Sequence, residues 1–287
     1  MKYIAVTGSS GFVGSHLIKR LRSLNKEFCE IDVKSGIDLM DSSRLLTLPP
    51  LNHIIHTAAK IFVPDSLINP ANFIDFNVKT TLNALELARK HSAKFAFISS
   101  YLYGEPEYIP VDEKHPLKPH NPYGYSKLIC EKLVEMYHKL YKLDTIILRP
   151  FNLYGQGQHN SFVIPKIIRQ MKTGEIILDD PRPKRDFLFI DDFIELLTVI
   201  LNKGYNGYCI YNVGSGYSIS IEEVANTIMQ QTESKVTLNF TNNYRDHEIM
   251  NSVADISKIS NQFEWKPLTN FRDGILTILK KEYSGCS

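Results

Sequence analysis

Short apolar runs and longer amphipathic segments alternate along the first half of the chain. Apolar residues at helical spacing predict two long helices, at 72–91 and 126–141. Runs rich in Val, Ile and Phe predict five strands, at 4–6, 28–32, 53–56, 94–99 and 145–148. Because strands that alternate with helices are typical of βαβ units, the pattern predicts a parallel sheet with helices packed on its faces.

The pattern changes after Pro150. Short apolar runs then alternate with glycine and proline turns, and three further helices are predicted at 162–171, 191–201 and 221–229. The chain is therefore predicted to be an α/β protein. A Rossmann-type, doubly wound parallel sheet would occupy 1–150, and a smaller C-terminal α/β lobe would occupy 151–287. Because no linker-like segment separates the two regions, we expect one intertwined structural unit.

Composition narrows the class of protein. The 287 residues carry a formal net charge of +2, and 22% of them are charged, which is typical of a globular protein without a nucleic-acid partner. No apolar run reaches the length of a membrane helix, so no membrane partner is expected. No leader pattern precedes the first strand, and we therefore expect a cytoplasmic protein.

The cysteines and histidines show no metal-binding motif. The four cysteines are Cys29, Cys130, Cys209 and Cys286. They lie far apart without ligand or disulfide spacing, so we expect reduced thiols. His53, His56 and His159 have no partner motif and are expected to be structural. We therefore predict no metal site.

A glycine turn joins the first predicted strand to the first predicted helix. Its spacing is G-x-x-G-x-x-G, and the residues predicted to bind a dinucleotide here are Gly8, Ser10, Gly11, Phe12, Val13 and Gly14. Glycines let the backbone approach a pyrophosphate, and a helix N-terminus supplies N–H groups to its oxygens. Asp32 ends the second strand, where a carboxylate would meet the adenosine ribose hydroxyls. This favours NAD over NADP, although Lys34 keeps NADP open.

Three polar residues have the pattern of a proton-transfer site. Tyr123 and Lys127 are four residues apart at the start of a predicted helix, so they share one helix face. Since a nearby ammonium favours phenolate, we expect Lys127 to lower the pKa of Tyr123 toward the range of a general acid or base. The hydroxyl of Ser100, at the end of a predicted strand, would hydrogen-bond the same substrate oxygen.

With these motifs the chain resembles the extended short-chain dehydrogenase/reductases, specifically the nucleotide-sugar epimerase/dehydratase family. Ten stretches match in family order: 8–14, 32, 38–39, 56–59, 77–78, 99–100 with 103–104, 121–127, 149–155, 185–187 and 211–216. The resemblance implies a Rossmann-type domain that binds NAD or NADP and a C-terminal lobe that binds a nucleoside-diphosphate sugar. It also implies a homodimer formed through the helices at 72–91 and 126–141.

The resemblance also implies roles for single residues. Lys127 would hold the nicotinamide ribose. Further cofactor contacts are implied for Asp38, Leu39, Ala58, Ala59, Lys60, Asn77, Ser99, Tyr123 and Pro150, the first two at the adenine. Substrate contacts are implied for Ser100, Asn152, Phe162, Val163, Arg185 and Arg245. Asn152 and the two arginines would hold the diphosphate, whose oxygens match planar guanidinium groups.

The residues after the fourth predicted strand differ between family members that catalyse different reactions. The family's dehydratases carry an Asp-Glu pair after the catalytic Ser or Thr, and its decarboxylases a nearby Glu, whereas Tyr101 and Leu102 follow here. Dehydration and decarboxylation are therefore disfavoured. The chain is one residue shorter before Tyr103 than most relatives. Counting from the strand favours Ser100 as the catalytic serine and counting back from Tyr103 favours Ser99, so both remain candidates.

Two stretches favour reduction. Residues 62–64 and 155–164 resemble GDP-4-keto-6-deoxyhexose reductases, and Ile61 stands where 4-epimerases often carry a lysine, with Lys60 one place away. We therefore expect reduction of an NDP-4-keto-6-deoxyhexose at C4, catalysed by a serine, Tyr123 and Lys127. An NAD-dependent 4-epimerase is the alternative, and a non-catalytic NAD(P)-binding scaffold is a minor one.

Overall fold

The first five strands are separated from one another by helices, whereas several of the later strands follow each other directly. The computed structural model describes residues 2–45, 47–232, 236–246 and 248–284. The strands are β1 (Tyr3–Thr7), β2 (Phe28–Ile31), β3 (Leu51–His56), β4 (Lys94–Ile98), β5 (Thr145–Pro150), β6 (Asn152–Tyr154), β7 (Glu175–Leu178), β8 (Lys184–Arg185), β9 (Phe187–Phe189), β10 (Tyr208–Val213), β11 (Ile219–Ser220) and β12 (Thr237–Phe240). The helices are α1 (Phe12–Ser23), α2 (Ser42–Leu45), α3 (Val63–Ile68), α4 (Pro70–His91), α5 (Pro122–Tyr141), α6 (Val163–Met171), α7 (Ile190–Lys203), α8 (Ile221–Gln230), α9 (Ser257–Phe263) and α10 (Phe271–Ser284).

Contacts divide the chain into two units, and neither is continuous in sequence. The first contains 1–104, 116–150 and 194–211, and the second contains 105–115, 151–193 and 212–287. One division falls between residues 150 and 151. Beyond it, most of α7 and the start of β10 belong to the first unit, and the segment 105–115 belongs to the second.

A six-stranded sheet forms the centre of the first unit, in the order β10-β5-β4-β3-β1-β2. The pairs β2–β1, β1–β3, β3–β4 and β4–β5 are parallel. The predicted Rossmann-type α/β sheet is therefore confirmed, and β10 is a sixth strand that lies outside the five predicted ones. The chain reverses direction across the sheet between β1 and β3. Ligands bind beyond the carboxyl ends of the strands at such a reversal.

Burial explains why the runs rich in Val, Ile and Phe form the inner strands. All six residues of β5 are buried, as are four of the five in β1 and in β4. Strands covered on both faces need such continuous apolar runs. Their side chains join those of α4 and α5 in one core, which includes Leu85, Phe95, Val134 and Ile147.

The start of α5 is fixed by its own sequence. Asn121 caps the helix, since its side-chain Oδ1 accepts a 2.9 Å hydrogen bond from the N–H of Gly124. Pro122 occupies the first turn, where its missing N–H has no helical partner to lose. The helix therefore begins one residue before Tyr123. Lys127 and Glu131 follow on the same face at intervals of four residues.

The second unit contains three two-stranded sheets, β11–β8, β12–β7 and β6–β9. Its aromatic core includes Tyr154, whose ring lies 5.1 Å from that of Phe271 and 5.4 Å from that of Phe189. Gly274 allows this packing, because a Cβ there would lie 2.1 Å from the Tyr154 hydroxyl. The unit thus has its own apolar core.

Three cysteines lie within the described residues. Cys29, Cys130 and Cys209 are free thiols, and only Cys130 is fully buried. Cys286 lies outside the described residues. None of the described helices is both long and apolar enough to cross a bilayer.

Candidate active site

Many of the predicted site residues of the first unit lie at or just after the carboxyl ends of its strands. The glycine turn follows β1, Asp32 follows β2, and Ala58 to Lys60 follow β3. Ser99 and Ser100 follow β4, and Pro150 ends β5. The parallel sheet therefore brings residues that are far apart in sequence to one edge.

The glycine turn is closely packed where a side chain would otherwise be. A Cβ on Gly14 would lie 2.1 Å from the carbonyl oxygen of Gly8. One on Gly8 would lie 2.7 Å from Cα of Ala58, and Gly8 also has a positive φ of 65°. Both positions therefore require glycine, one for the approach of α1 to β1 and the other for the approach of β1 to the segment after β3.

The N-terminus of α1 is suited to a phosphate. Gly11 provides no side-chain cap, and the first turn carries no acidic residue. The first N–H groups and the positive end of the helix dipole are thus left for an anion. Ser9 lies in the same turn, and its Oγ is buried without a hydrogen-bond partner among the described residues. These features fit the pyrophosphate of NAD or NADP, and Ser9 is a candidate that the glycine pattern did not include.

Asp32 connects the second strand to the glycine turn. Its Oδ2 accepts a hydrogen bond from the N–H of Ser10 at 3.2 Å, and its Oδ1 accepts one from the N–H of Lys34 at 3.0 Å. Asp38 is exposed, whereas Leu39 is only 5% exposed and belongs to the core. Of the two residues predicted at the adenine, only Asp38 has an accessible side chain.

Asn77 holds the segment after β3 against α5. Its Oδ1 accepts from the N–H of Lys60 at 2.8 Å, and its Nδ2 donates to the Lys60 carbonyl oxygen at 3.1 Å and to Ser126 Oγ at 2.8 Å. Asn77 is 1% exposed. Its side chain therefore fixes the backbone of Lys60 in the segment after β3, in which Ala58 and Ala59 are half-buried.

Tyr123 and Ser100 meet at the end of β4. A hydrogen bond from Ser100 reaches the phenol of Tyr123, and both residues are half-buried. The adjoining Ser99 is 3% exposed, and its Oγ donates instead to Glu131 Oε1 at 2.6 Å. The geometry therefore supports Ser100 over Ser99 as the serine beside the phenol. Only the backbone of Ser99 is left for the contact predicted with a cofactor.

The effect of Lys127 on Tyr123 differs from the prediction. The Lys127 ammonium donates to the carbonyl oxygen of Ile98 at 2.7 Å and lies 4.8 Å from the centre of the Phe97 ring. Burial raises the pKa of Tyr123 to about 12, and the hydrogen bond from Ser100 offsets only part of this shift. The expected lowering was wrong for this state, because the loss of solvent on burial is the largest influence on the Tyr123 pKa.

Burial also lowers the pKa of Lys127. The value falls to about 8, although the neighbouring Cys130 and Glu131 oppose the shift. The ammonium can therefore lose its charge within the working pH range of an enzyme. Lys127 is 3% exposed and is held between a carbonyl oxygen and a ring face.

A buried ion pair beneath these residues was not predicted. Glu131 accepts two hydrogen bonds from Arg149, at 2.9 Å from Nε and at 2.6 Å from Nη2. Arg149 Nη1 also donates to the hydroxyl of Tyr103 at 2.9 Å. The signal available in the sequence was spacing, since Glu131 continues the interval of four residues from Tyr123 and Lys127.

In the second unit, Arg185 is held in place and Arg245 is not. Arg185 hydrogen-bonds Glu248 and the carbonyl oxygen of Ile249, and its Nη1 donates to the carbonyl oxygen of Lys184 at 2.9 Å. Its side chain is 17% exposed, compared with 70% for Arg245. Arg245 lies 3.8 Å from Asp179 and 4.0 Å from Glu248. Glu248 is thus a charged partner of Arg185 that the motif did not indicate.

Asn152 and Asp186 organise the strand that carries Arg185. The N–H and Nδ2 of Asn152 donate to the carbonyl oxygen of Asp186, at 3.0 and 3.2 Å. The buried Asp186 carboxylate accepts from the N–H groups of Ser215, Gly216 and Ala254 at 2.6–3.0 Å. Asp186 therefore fixes the backbone next to Arg185.

The remaining predicted residues lie at two element ends. Pro150 is buried at the end of β5. Phe162 and Val163, both half-buried, stand at the start of α6, where no side chain caps the helix and no acidic residue occupies the first turn. Across the described chain, no cluster of three or more His, Cys, Asp or Glu side chains could hold a metal ion.

The chain is similar to known proteins along almost its whole length. Residues 4–214 match the NAD dependent epimerase/dehydratase family. The GDP-6-deoxy-D-mannose reductase of Pseudomonas aeruginosa is 31% identical over 290 residues, which cover 96% of this chain and 95% of that protein.

Two solved structures also match. RMD from Pseudomonas aeruginosa complexed with NADPH has a TM-score of 0.91 at 28% identity, covering 99% of this chain and 100% of its own. The UDP-N-acetylglucosamine 4-epimerase from Methanobrevibacter ruminantium M1, in complex with UDP-N-acetylmuramic acid, has a TM-score of 0.90 at 27% identity, covering 99% of each chain. The predicted family is thereby confirmed, and with it an enzyme that uses NAD or NADP: the chain belongs to the NAD dependent epimerase/dehydratase family.

Proposed function

We propose that this protein reduces the 4-ketone of a nucleoside-diphosphate 4-keto-6-deoxyhexose. The observation that carries the proposal is the half-buried phenol of Tyr123, which has a hydrogen bond from Ser100 and a pKa raised to about 12. A phenol that keeps its proton at neutral pH is suited to donating it to an oxygen that gains negative charge. Reduction of a ketone requires such a donor.

NAD(P)H, when bound, supplies the hydride that adds to C4 of the sugar. Tyr123 donates its phenolic proton to the C4 oxygen, so that the ketone becomes an alcohol. Ser100 hydrogen-bonds the same oxygen and stabilises its developing charge. Lys127 stabilises the phenolate left on Tyr123 through its positive charge, and solvent then restores the proton.

The residues assigned to the cofactor are those of the glycine turn together with Asp32, Asp38 and Lys127. The uncapped N-terminus of α1 and the unpartnered Ser9 hydroxyl support a pyrophosphate there. Asp32 supports NADH as the partner of choice, because its carboxylate would repel a 2′-phosphate. RMD, a solved relative, is complexed with NADPH, and the affinities of both cofactors test the preference.

The substrate diphosphate is assigned to Asn152, Arg185 and Arg245. A guanidinium group that is already held by its neighbours loses little freedom when it binds phosphate, which supports Arg185 as the main contact. Phe162 and Val163 are assigned to the same ligand, since the uncapped start of α6 leaves N–H groups for an anion.

One observation favours reduction over epimerisation. Ile61 stands at the position that carries a lysine in many 4-epimerases, and the neighbouring Lys60 hydrogen-bonds Asn72. The GDP-6-deoxy-D-mannose reductase and a putative UDP-glucose 4-epimerase are both 31% identical to this chain and both cover 96% of it, so the relatives do not separate the two reactions. The solved UDP-N-acetylglucosamine 4-epimerase, at 27% identity, keeps a 4-epimerase as the second candidate.

One assay separates the candidates. Purified protein is incubated with GDP-4-keto-6-deoxymannose and NADH or NADPH, and separately with UDP-hexoses and NAD. A stoichiometric fall in nicotinamide absorbance with formation of the 6-deoxyhexose supports the reductase. Formation of the 4-epimer without net loss of cofactor would support the epimerase and contradict reduction. Cofactor binding without either product would support the scaffold.

We also propose a cytoplasmic homodimer. The exposed face of α5 carries Tyr125, Ile129, Met136 and Leu140, which are 38–66% exposed. Such a stripe on a helix is suited to packing against a second copy. We expect wild-type protein to sediment as a dimer and Ile129→Arg to sediment as a monomer that still binds cofactor. A monomeric wild type would contradict the proposal.

A further inference from the structure

Three residues of α5 hold three consecutive residues at the end of β4. Tyr123 meets the hydroxyl of Ser100, Lys127 donates to the carbonyl oxygen of Ile98, and Glu131 accepts from the hydroxyl of Ser99. The intervals of four along α5 place these groups on one helix face. The strand end that carries Ser100 is therefore fixed by the helix that carries Tyr123.

Ser99 is held through both its backbone and its side chain. Its N–H donates to the carbonyl oxygen of Leu148 at 2.8 Å, and its Oγ donates to Glu131 at 2.6 Å. Bonds to both its backbone and its side chain leave Ser99 little freedom to rotate. Because Ser100 is the next residue, the direction of its hydroxyl depends on how Ser99 is fixed.

Glu131 is fixed in turn by Arg149. Both side chains are 3% exposed, and the guanidinium meets the carboxylate with two hydrogen bonds. An ion pair this deeply buried is weak evidence for a stabilising role, because removing both charges from water offsets their attraction. The pair does, however, give Glu131 one orientation, in which Oε1 faces Ser99.

We propose that Glu131, oriented by Arg149, is a positioning residue that acts through Ser99 to direct the Ser100 hydroxyl at Tyr123. This inference rests on the proposed function for its kinetic readout only. Glu131 does not touch substrate or cofactor in this role. Its carboxylate also opposes the fall in the pKa of Lys127, so it acts on two members of the site from one position.

The first test removes the hydrogen bond between Ser99 and Glu131 and leaves the ion pair of Glu131 with Arg149 intact. Ser99→Ala deletes the hydroxyl that reaches Glu131, and Ser99→Thr keeps a hydroxyl there. We expect kcat to fall about 10- to 100-fold in Ser99→Ala, with KM and the cofactor Kd nearly unchanged, because a small misplacement of a catalytic group has effects of this order. Ser99→Thr should recover most of the loss.

Ser66→Ala is the matched control. Ser66 in α3 is also fully buried, and its Oγ donates to the carbonyl oxygen of Val63 at 2.7 Å. It has no assigned role in the site. If kcat of Ser99→Ala stays as close to wild type as that of Ser66→Ala, the positioning role is overturned.

A second test replaces the ion pair. The double variant Glu131→Met with Arg149→Met puts apolar side chains of similar length at both positions, a change that proteins often tolerate without loss of stability. We expect a folded protein whose kcat falls as in Ser99→Ala. A double variant with wild-type kcat would show that the pair serves folding alone and would overturn the proposal.

A spectroscopic readout separates this inference from the proposed function. Protein labelled with ¹³C at the tyrosine ζ carbon gives one resonance for Tyr123, assigned with Tyr123→Phe. We expect Ser99→Ala to move this resonance in the same direction as Ser100→Ala, and Ser66→Ala to leave it in place. Such a shift supports the positioning role even if the reductase assay fails. An unmoved resonance in Ser99→Ala overturns it whatever the assay shows.

Discussion

The carboxylate of Asp32 accepts a hydrogen bond from the backbone N–H of Ser10, with 3.2 Å between Oδ2 and N. The charge at the end of β2 is therefore held against the glycine turn, where it would face the 2′ position of an adenosine ribose. We expect Asp32→Ser to raise the affinity for NADPH relative to NADH by about 10-fold, since removing one close repulsion is worth about 1.4 kcal/mol.

The measurement is the Kd of both cofactors from nicotinamide fluorescence. Asp41→Ser is the control, because Asp41 is an exposed acid on the same segment with only local partners. An unchanged NADPH to NADH ratio in Asp32→Ser would contradict the assignment of Asp32.

Removing the hydroxyl of Tyr123 should abolish catalysis and leave cofactor binding intact. Tyr123→Phe keeps the ring and deletes the proton donor, so we expect loss of turnover with a cofactor Kd close to wild type. Ser100→Ala should lower kcat by about 10²-fold, in the range found when one donor to a developing oxyanion is removed. Steady-state kinetics and fluorescence titration measure both effects. Wild-type turnover in Tyr123→Phe would reject the mechanism.

The pH dependence of reduction should reflect Lys127. Its pKa is lowered to about 8 by burial, so raising the pH through this value removes the charge that stabilises the phenolate. We expect kcat/KM, which reports on free enzyme, to fall above pH of about 8. Lys127→Arg keeps a charge at all these pH values and should lack that fall. A wild-type profile that stays flat to a pH of about 10 would contradict the role of Lys127.

Replacing Arg185 should weaken nucleoside-diphosphate binding more than replacing Arg245. Hydrogen bonds to charged groups contribute about 1.5–3 kcal/mol, so loss of Arg185 should weaken nucleoside-diphosphate binding by about 10- to 100-fold. Arg245 is 70% exposed and loosely paired, so Arg245→Ala should have a smaller effect. Calorimetry with GDP and UDP measures both.

Arg182→Ala is the control for the arginine variants. Arg182 is also exposed, pairs with Asp180 at 2.9 Å, and has no assigned ligand. Equal affinities in Arg185→Ala and Arg182→Ala would remove Arg185 from the site.

His53 should make the fold sensitive to acid. Burial lowers its pKa to about 4, with a further contribution from Lys94, and both ring nitrogens lack a partner among the described residues. The unfolded chain therefore binds a proton below a pH of about 6.5, while the folded chain does so only near pH 4. Stability contributed by the neutral ring is complete above a pH of about 6.5 and is lost as pH falls toward 4.

His53→Leu should remove this loss of stability at acid pH. The free energy of unfolding from urea titrations at a series of pH values measures the effect. Burial lowers the pKa of His56 further, to about 3, so its contribution is lost over a wider pH range. Its ring nitrogens are hydrogen-bonded to Thr7 and Thr81. The exposed His159 is the control. Equal pH profiles for wild type and His53→Leu would contradict the prediction.

Much of the fold could be predicted because its signals are local. Short strand-like runs indicated β1 to β5, and the glycine turn indicated how β1 leads into α1. The sixth strand, β10, and the membership of α7 in the first unit could not be predicted. Most of α7 and all of β10 follow residues 151–193, which belong to the second unit, and they join the first unit only through contacts that are distant in sequence. Periodicity identifies an element but not the sheet it joins.

The candidate site also combines features that the sequence determines with features that depend on tertiary packing. The spacing of Tyr123 and Lys127 is a property of the helix, and the sequence by itself determined it, together with the glycine turn and the absence of an acid after Ser100. Only the tertiary structure decided that Ser100 faces Tyr123 while Ser99 faces Glu131, and that Lys127 donates to Ile98. It also decided the direction of the Tyr123 pKa shift. Orientation and desolvation depend on which elements pack together, and a linear pattern carries no information about the solvent that packing removes.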